Sequence, residues 1–441
     1  MLVEFSVGNF LSFKEPATFS MVAANIKEHE ETNWIELNKV KLLKSAVIYG
    51  ANASGKSNLF LALDFMKTFI FESSKESQID EKIEVDSFKL SKETIDEPSF
   101  FEVIFLKENI RYRYGFLVDE EKIHEEWLYS SKKYTEKELF VRNETGIKVA
   151  NAFKEGKGLE NKTRKNALFL SVCANFNGEI AQVIFNWFHN FNIISGLGNG
   201  IMPFTVSKLQ EKDFKDKIIK YLKVADMGIE DISVEKFKIP EEDLPEDLPD
   251  SLKKIVTKER SLIITHHKRY NEENKYTDLA PFNAEARESK GTLKLLSLSA
   301  PLIDTIENGG ILVVDELDAK FHPLITRFII QLFNSINNKR AQLIFNTHDT
   351  THLNKDYFRR DQIWFAEKDR YGRTELYSLV EYKIDETKVR NDATYSKDYI
   401  LGKYGAVPYV GVLENLGDIY GNGQFLSQEE ERDFRFKEGD E

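Results

Sequence analysis

Eight consecutive residues, Gly50-Ala51-Asn52-Ala53-Ser54-Gly55-Lys56-Ser57, have the spacing GxxxxGKS. Glycines at those positions let the backbone curl so that successive N–H groups face one anion. A helix opening at Lys56 adds the favourable end of its dipole. In such a loop Lys56 reaches the β- and γ-phosphates of a nucleoside triphosphate, and the Ser57 hydroxyl binds Mg²⁺. The flanking residues agree. Lys44 to Tyr49 reads as an apolar strand entering the loop, and Asn58 to Phe71 has the apolar spacing of a helix leaving it. ATP and Mg²⁺ are the cofactors this motif predicts.

Three further segments bear on the same chemistry. Gly310-Ile311-Leu312-Val313-Val314-Asp315-Glu316 reads as a buried strand ending in two carboxylates. Asp315 suits Mg²⁺ through water, and Glu316 suits a general base that orients an attacking water. The bland alternative is a core strand followed by a solvated acidic turn. Glu288-Ser289-Lys290-Gly291-Thr292 opens an apolar helix pattern over Leu293 to Leu298. It reads either as a plain helix cap on Ser289 or as a second anion cradle. Leu343-Ile344-Phe345-Asn346-Thr347-His348 is a strand ending in a histidine, which either contacts a γ-phosphate or is structural.

The order of these motifs resembles the ATP-binding cassette class, and within it the SMC/RecF/OLD-like branch. Asn9-Phe10 in the opening strands, Asn52 to Asn58 in the loop, Asp315-Glu316-Leu317-Asp318 and His322-Pro323 carry that resemblance. Glu288 to Thr292, Arg360 to Phe365 and Tyr404 to Pro408 are similar to segments of the AbiL/RloA-type ATPases of bacterial anti-phage systems, over about residues 1 to 410. The resemblance implies an α/β head with a P-loop core sheet, an antiparallel β portion and a compact, mainly helical insertion without a long coiled coil. It implies two heads arranged head to tail around two ATP molecules. Ser289-Lys290-Gly291-Thr292 of one chain would close over the nucleotide held by Gly50 to Asn58 of the other. Asp318 would bridge the two sites, and assembly beyond the dimer is left open. The effector is expected on a separately encoded, nuclease-like chain, because no Glu with a following Asp-x-Asp strand stands after His348. Two departures stand out. No glutamine follows the first helix at a useful distance, Gln78 coming too early. The Ser289 to Thr292 segment also differs from the transporter form.

The rest of the chain sets limits. Lys plus Arg number 61 against 73 for Asp plus Glu, a net charge of −12, so a large phosphate-gripping surface is not indicated. A local basic patch such as Lys258 to Arg269 stays open as a nucleic-acid or partner face, beside its reading as a solvated hairpin. Cys173 is the single cysteine, which rules out an intramolecular disulfide and suits a reducing compartment. The N-terminal residues lack a signal-peptide pattern, and no apolar run of about 18 residues stands anywhere. A cytoplasmic protein without a membrane segment is expected. Residues 1–134 are read as the first part of the head, 135–280 as an insertion or lid, 281–426 as the second part and 427–441 as a charged tail. Within these, 100–129 reads as a three-stranded meander, 135–165 as a polar loop and 241–251 as a linker. Trp127 and Trp187 are read as core aromatics. The competing function is a DNA-repair or DNA-clamping ATPase of the RecF/SMC sort, with a transporter subunit third.

Overall fold

The computed structural model describes residues 1–75, 81–132, 135–198, 200–240, 244, 249, 252–253, 257, 259–384, 387–388 and 394–408. Strands β1 (Leu2–Gly8), β2 (Ala17–Ser20), β3 (Trp34–Leu37), β4 (Val40–Leu43) and β5 (Ser45–Tyr49) precede helix α1 (Lys56–Glu72). A meander follows: β6 (Ser99–Lys107), β7 (Ile110–Val118), β8 (Ile123–Ser131), β9 (Lys137–Asn143) and β10 (Gly146–Val149). Next come α2 (Phe169–Asn175), α3 (Glu179–His189), β11 (Phe191–Ser195), α4 (Pro203–Lys208) and α5 (Lys212–Val224). Then come β12 (Asp231–Phe237), β13 (Arg260–Tyr270), β14 (Tyr276–Asn283) and α6 (Ala284–Arg287). The chain returns through α7 (Lys290–Asn308), β15 (Ile311–Asp315), α8 (Pro323–Phe333), β16 (Gln342–Asn346), β17 (Ile363–Lys368), β18 (Thr374–Ser378) and α9 (Tyr395–Ile400).

Two large sheets hold the site. The core sheet has the order β11-β15-β16-β5-β17-β18, parallel except for β18. Its inner strands are continuous apolar runs because helices cover both faces. Alternate residues therefore enter different cores. Ala46 and Ile48 pack with α1, while Val47 and Tyr49 pack with α7 and α8. The second sheet is antiparallel, in the order β10-β9-β8-β7-β6-β1-β2. Helix α1 lies between the two sheets and buries Leu59, Phe60, Leu63, Met66, Phe69 and Ile70. Its aromatic side meets the antiparallel sheet directly, with Phe65 4.9 Å from Phe101 and Phe69 5.6 Å from Phe116 between ring centroids. Trp187 is buried and stacks on Phe105 at 4.0 Å, a core aromatic as expected. Buried Cys173 is a free thiol.

The expected α/β head forms, with its parallel core sheet, antiparallel portion and, among the described residues, no long coiled coil. Helices α2 to α5 fall in the stretch read as a mainly helical insertion. Several local expectations differ. The stretch from 135 to 165 is not a polar loop at its start, because β9 and β10 extend the meander outward. Only Leu139, Phe140 and Arg142 of β9 are buried, and β10 is an edge strand with no buried residue, so the apolar signal is thin. β11 joins the core sheet beside β15, so residues 135–280 contribute to both head sheets. The hairpin β3–β4 was not anticipated. Its turn residues Asn38 and Lys39 both have positive φ, 50° and 66°, the geometry of a two-residue hairpin turn. Gln78, most of the 241–251 linker and the 427–441 tail lie outside the described residues. Among the described residues no helix is long and apolar enough to cross a membrane.

Candidate functional site

The loop 50–55 leaves β5 at the centre of the core sheet and turns into α1. Close packing underneath explains its glycines. A Cβ at Gly50 would sit 2.3 Å from the Ala366 carbonyl oxygen. Gly55 has φ +101°, and a Cβ there would fall 2.1 Å from Thr374 Oγ1. That threonine lies under the loop, donating to the Ser54 carbonyl at 2.8 Å and standing 2.7 Å from Ser12 Oγ. Asn58 reaches the same hydroxyl, with Nδ2 donating to Ser12 Oγ at 2.7 Å. The loop is thus anchored from β18 and from the turn after β1.

Lys56 is buried, and its ammonium donates to the carbonyls of Gly50 and Ala51 at 2.8 Å each. Burial lowers its pKa to about 8, opposed by the nearby charges of Glu316, Asp315 and Asp318. Ser57 Oγ donates to Asp315 Oδ1 at 2.9 Å. This hydroxyl and carboxylate are hard oxygen donors of the kind Mg²⁺ prefers, so the residues fit that ion. Among the described residues the buried Ser54 hydroxyl has no hydrogen-bond partner, which fits a loop built to receive an anion.

Asp315 ends β15 and Glu316 follows in the left-handed region, with φ 56°. Asn346, at the end of the neighbouring strand β16, grips both. Its Oδ1 accepts from the Glu316 N–H, its Nδ2 donates to Asp315 Oδ1, and its carbonyl accepts from Leu317 N at 3.2 Å. Two residues on, exposed His348 faces the same cleft. Partial desolvation inside the cleft and then the Lys56 charge hold its pKa below the usual histidine value, which favours the neutral imidazole. The cleft has a volume of about 460 Å³. Residues 52–58, Glu316, Asn346, His348 and Lys368 line it.

Most of the sites read from the sequence therefore converge. Asn52 to Asn58, Glu316 and His348 line the cleft, Gly50 and Ala51 are joined to it through their carbonyls' bonds from Lys56, and Asp315 through its bond from Ser57. Residues 289–292 do not line this cleft. Ser289 caps α7, accepting from Thr292 N at 3.1 Å, so the plain cap is realised. Ser289 and Lys290 are nonetheless exposed. Gly291 is required by contact with the loop after β15, since a Cβ would meet the Lys320 carbonyl at 2.9 Å. Asp318 is half-buried, and its Oδ1 has no hydrogen-bond partner among the described residues. The sequence reading missed Asn346, Lys368, Ser12 and Thr374. Asn346 carried a signal, being a polar residue directly after the apolar run Leu343 to Phe345. The other three are brought in by tertiary packing.

The basic stretch 258–269 forms part of the hairpin β13–β14, with residue 258 outside the described set. Two of its cations are paired, Lys268 with Glu230 and Arg269 with Asp278, and its Glu259 pairs with Lys236 on β12. Such pairing leaves little net field for phosphate.

A sequence profile of the family described as "AAA domain, putative AbiEii toxin, Type IV TA system" matches residues 45–354, from the strand before the loop to just past His348. No curated protein sequence matches the chain. Among solved structures the chain is similar to the SMC head domain from Thermotoga maritima. The identity is 11%, the match covers 86% of this chain and 98% of that one, and the TM-score is 0.39. It is also similar to an SMC head bound to the C-terminal winged-helix domain of ScpA, at 12% identity, 86% and 97% coverage and a TM-score of 0.42.

Proposed function

The chain belongs to the family described as AAA domain, putative AbiEii toxin, Type IV TA system; from that premise we propose that it is an ABC-class P-loop ATPase head that binds and hydrolyses ATP and regulates a separate nuclease-like effector in bacterial anti-phage defence. The observation that carries the ATPase reading is the convergence of Lys56, the Ser57–Asp315 pair, Glu316 and His348 on one cleft. Backbone N–H groups of 52–57 and the Lys56 ammonium hold the triphosphate. Ser57 and Asp315 would hold Mg²⁺, which would supply charge neutralisation on the phosphates. The Glu316 carboxylate orients a water and takes its proton. Neutral His348 donates one hydrogen bond toward the γ-phosphate.

The dimer rests on a different observation. Ser289 and Lys290, the leading residues of the cradle, are exposed and stand outside their own chain's cleft. A head-to-tail pair uses it, because a two-fold axis brings each cradle to the partner's nucleotide. Asp318 would then bridge the sites. Two ATP molecules close the pair, and hydrolysis opens it, because the γ-phosphate favours the closed state. The effector relation rests on the family and on the resemblance to AbiL/RloA-type ATPases.

Glu316→Gln tests the whole. It should bind ATP, stop turnover and double the native mass in ATP but not in ADP. Pulled down from its native host, it should hold a nuclease-like chain. Wild-type hydrolysis by Glu316→Gln would refute the base. A dimer without a partner, together with DNA-stimulated turnover, would replace the effector reading with a DNA-clamping one.

A further inference from the structure

Lysine 294 lies one turn into α7, on the helix that Ser289 caps, and it is buried. A buried lysine commonly meets a carboxylate. This one donates instead to three backbone carbonyls of one loop, Glu316 at 3.2 Å, Leu317 at 3.0 Å and Ala319 at 2.5 Å. An ammonium has three N–H donors, so those three carbonyls use them all. The ring of Phe321 lies under the charge, 4.4 Å from Nζ to the centroid. The loop is a turn between two left-handed residues, Glu316 with φ 56° and Lys320 with φ 66°. Glu316 is therefore fixed from both sides of its own backbone. Its N–H goes to Asn346 on β16, and its carbonyl accepts from Lys294 and from Ala319 N at 3.1 Å.

The two clamps differ in what they connect. Asn346 ties Glu316 to the strand that leads to His348, inside one site. Lys294 ties it to the helix whose first residues form the exposed cradle. We propose that Lys294 is a positioning residue that couples the Ser289–Thr292 cradle to the orientation of Glu316, so that engaging the partner's nucleotide sets the general base in the chain's own site. This rests on the head-to-tail reading above. A shift of α7 as the cradle closes moves Nζ and, with it, the carbonyl of the residue that bears the carboxylate. Each chain's contact with one nucleotide then readies it to hydrolyse the other.

The test is steady-state hydrolysis against ATP concentration for wild type, Lys294→Met and Glu316→Gln, with nucleotide binding and melting measured in parallel. Lys294→Met should lower kcat about tenfold or more, the range seen when a supporting partner of a catalytic group is removed. Nucleotide affinity should stay within about twofold, since Lys294 does not line the nucleotide cleft. Cooperativity between the sites should fall, with the Hill coefficient moving toward one. Turnover within about twofold of wild type with cooperativity intact would overturn the proposal while leaving an inactive Glu316→Gln to support the base. Wild-type turnover by Glu316→Gln would overturn both. Equal losses in affinity, rate and melting would mark a purely structural lysine and overturn the coupling. If Lys294→Met does not fold, Lys294→Gln decides by the same criteria.

Discussion

Asn346→Ala removes the clamp on the two carboxylate residues while leaving their side chains in place. The Asn346 side chain is fully buried and makes two hydrogen bonds there, one from the Glu316 N–H and one to the Asp315 carboxylate. A lost neutral bond is worth about 1 kcal/mol and one to a charged group about 1.5–3 kcal/mol. Asp315 keeps the Ser57 hydroxyl as a donor, so the lower end applies to it. The sum is about 2–3 kcal/mol. Glu316 occupies a left-handed conformation that itself costs about 1–2 kcal/mol, so an unclamped peptide has a reason to relax away from it. If the whole sum falls on the transition state, kcat/KM drops roughly 30- to 150-fold at about 1.4 kcal/mol per decade. The assay is steady-state ATP hydrolysis with nucleotide binding measured by fluorescence and folding by a thermal melt. Affinity for nucleotide should change little, because Lys56 and the loop amides are untouched. Asn346→Asp should be at least as damaging, since it sets a second carboxylate against Asp315 and disfavours its charged form. A folded Asn346→Ala that turns over within threefold of wild type would refute the clamp.

Ser289→Ala deletes the cap on α7, at a cost of about 1 kcal/mol. The isolated chain should still bind nucleotide, but in the Glu316→Gln background the ATP-dependent doubling of native mass should be lost. Gly55→Ala puts a Cβ against Thr374 at a left-handed position. It should abolish binding of a fluorescent ATP analogue while sparing most of the core. Burial lowers Lys44, Lys56 and Lys294 each to about 8. Between about pH 8 and 10 the unfolded chain then binds more protons at these groups than the folded one, so they make ligand-free stability rise with pH. Nucleotide affinity should move the opposite way as Lys56 loses its charge, and melts and binding titrations over that window check both signs.

The parts of the site legible in the sequence are those whose chemistry is local. Gly50 to Ser57 needs only its own glycines, a strand before it and a helix after it, and all three can be read along the chain. Asp315-Glu316 is legible because it ends a continuous apolar run, and His348 because it closely follows one. What could not be read depends on pairing between distant segments. Asn346 stands out as polar after an apolar run, but the groups it grips are set only when β15 and β16 lie side by side. Lys294 reads as the polar member of a helix pattern, and its target loop is set only when α7 packs beside β15. Phe191 to Ser195 is a short apolar run whose partner, Ile311 to Asp315, arrives far later. Edge strands such as β10 bury too little to alternate visibly. The cradle at Ser289 stayed ambiguous for another reason: its cap is complete within one chain, while its second role needs another.

The position of β5 has a consequence for how the chain is made. Val47 pairs with Phe345 on one side and Ile363 on the other, so the strand that launches the nucleotide loop stays unpaired until the C-terminal third emerges. At a synthesis rate of about 5–20 residues per second, that gap of ~300 residues lasts roughly 15–60 s. Throughout it the stretch Ser45 to Tyr49, every residue of which is buried in the finished protein, presents two bare edges to the surrounding cell. Nascent chains are therefore client material for holding chaperones until β16 and β17 arrive. A ribosome stalled before Gln342 would release a fragment prone to aggregate and unable to form its core sheet around β5.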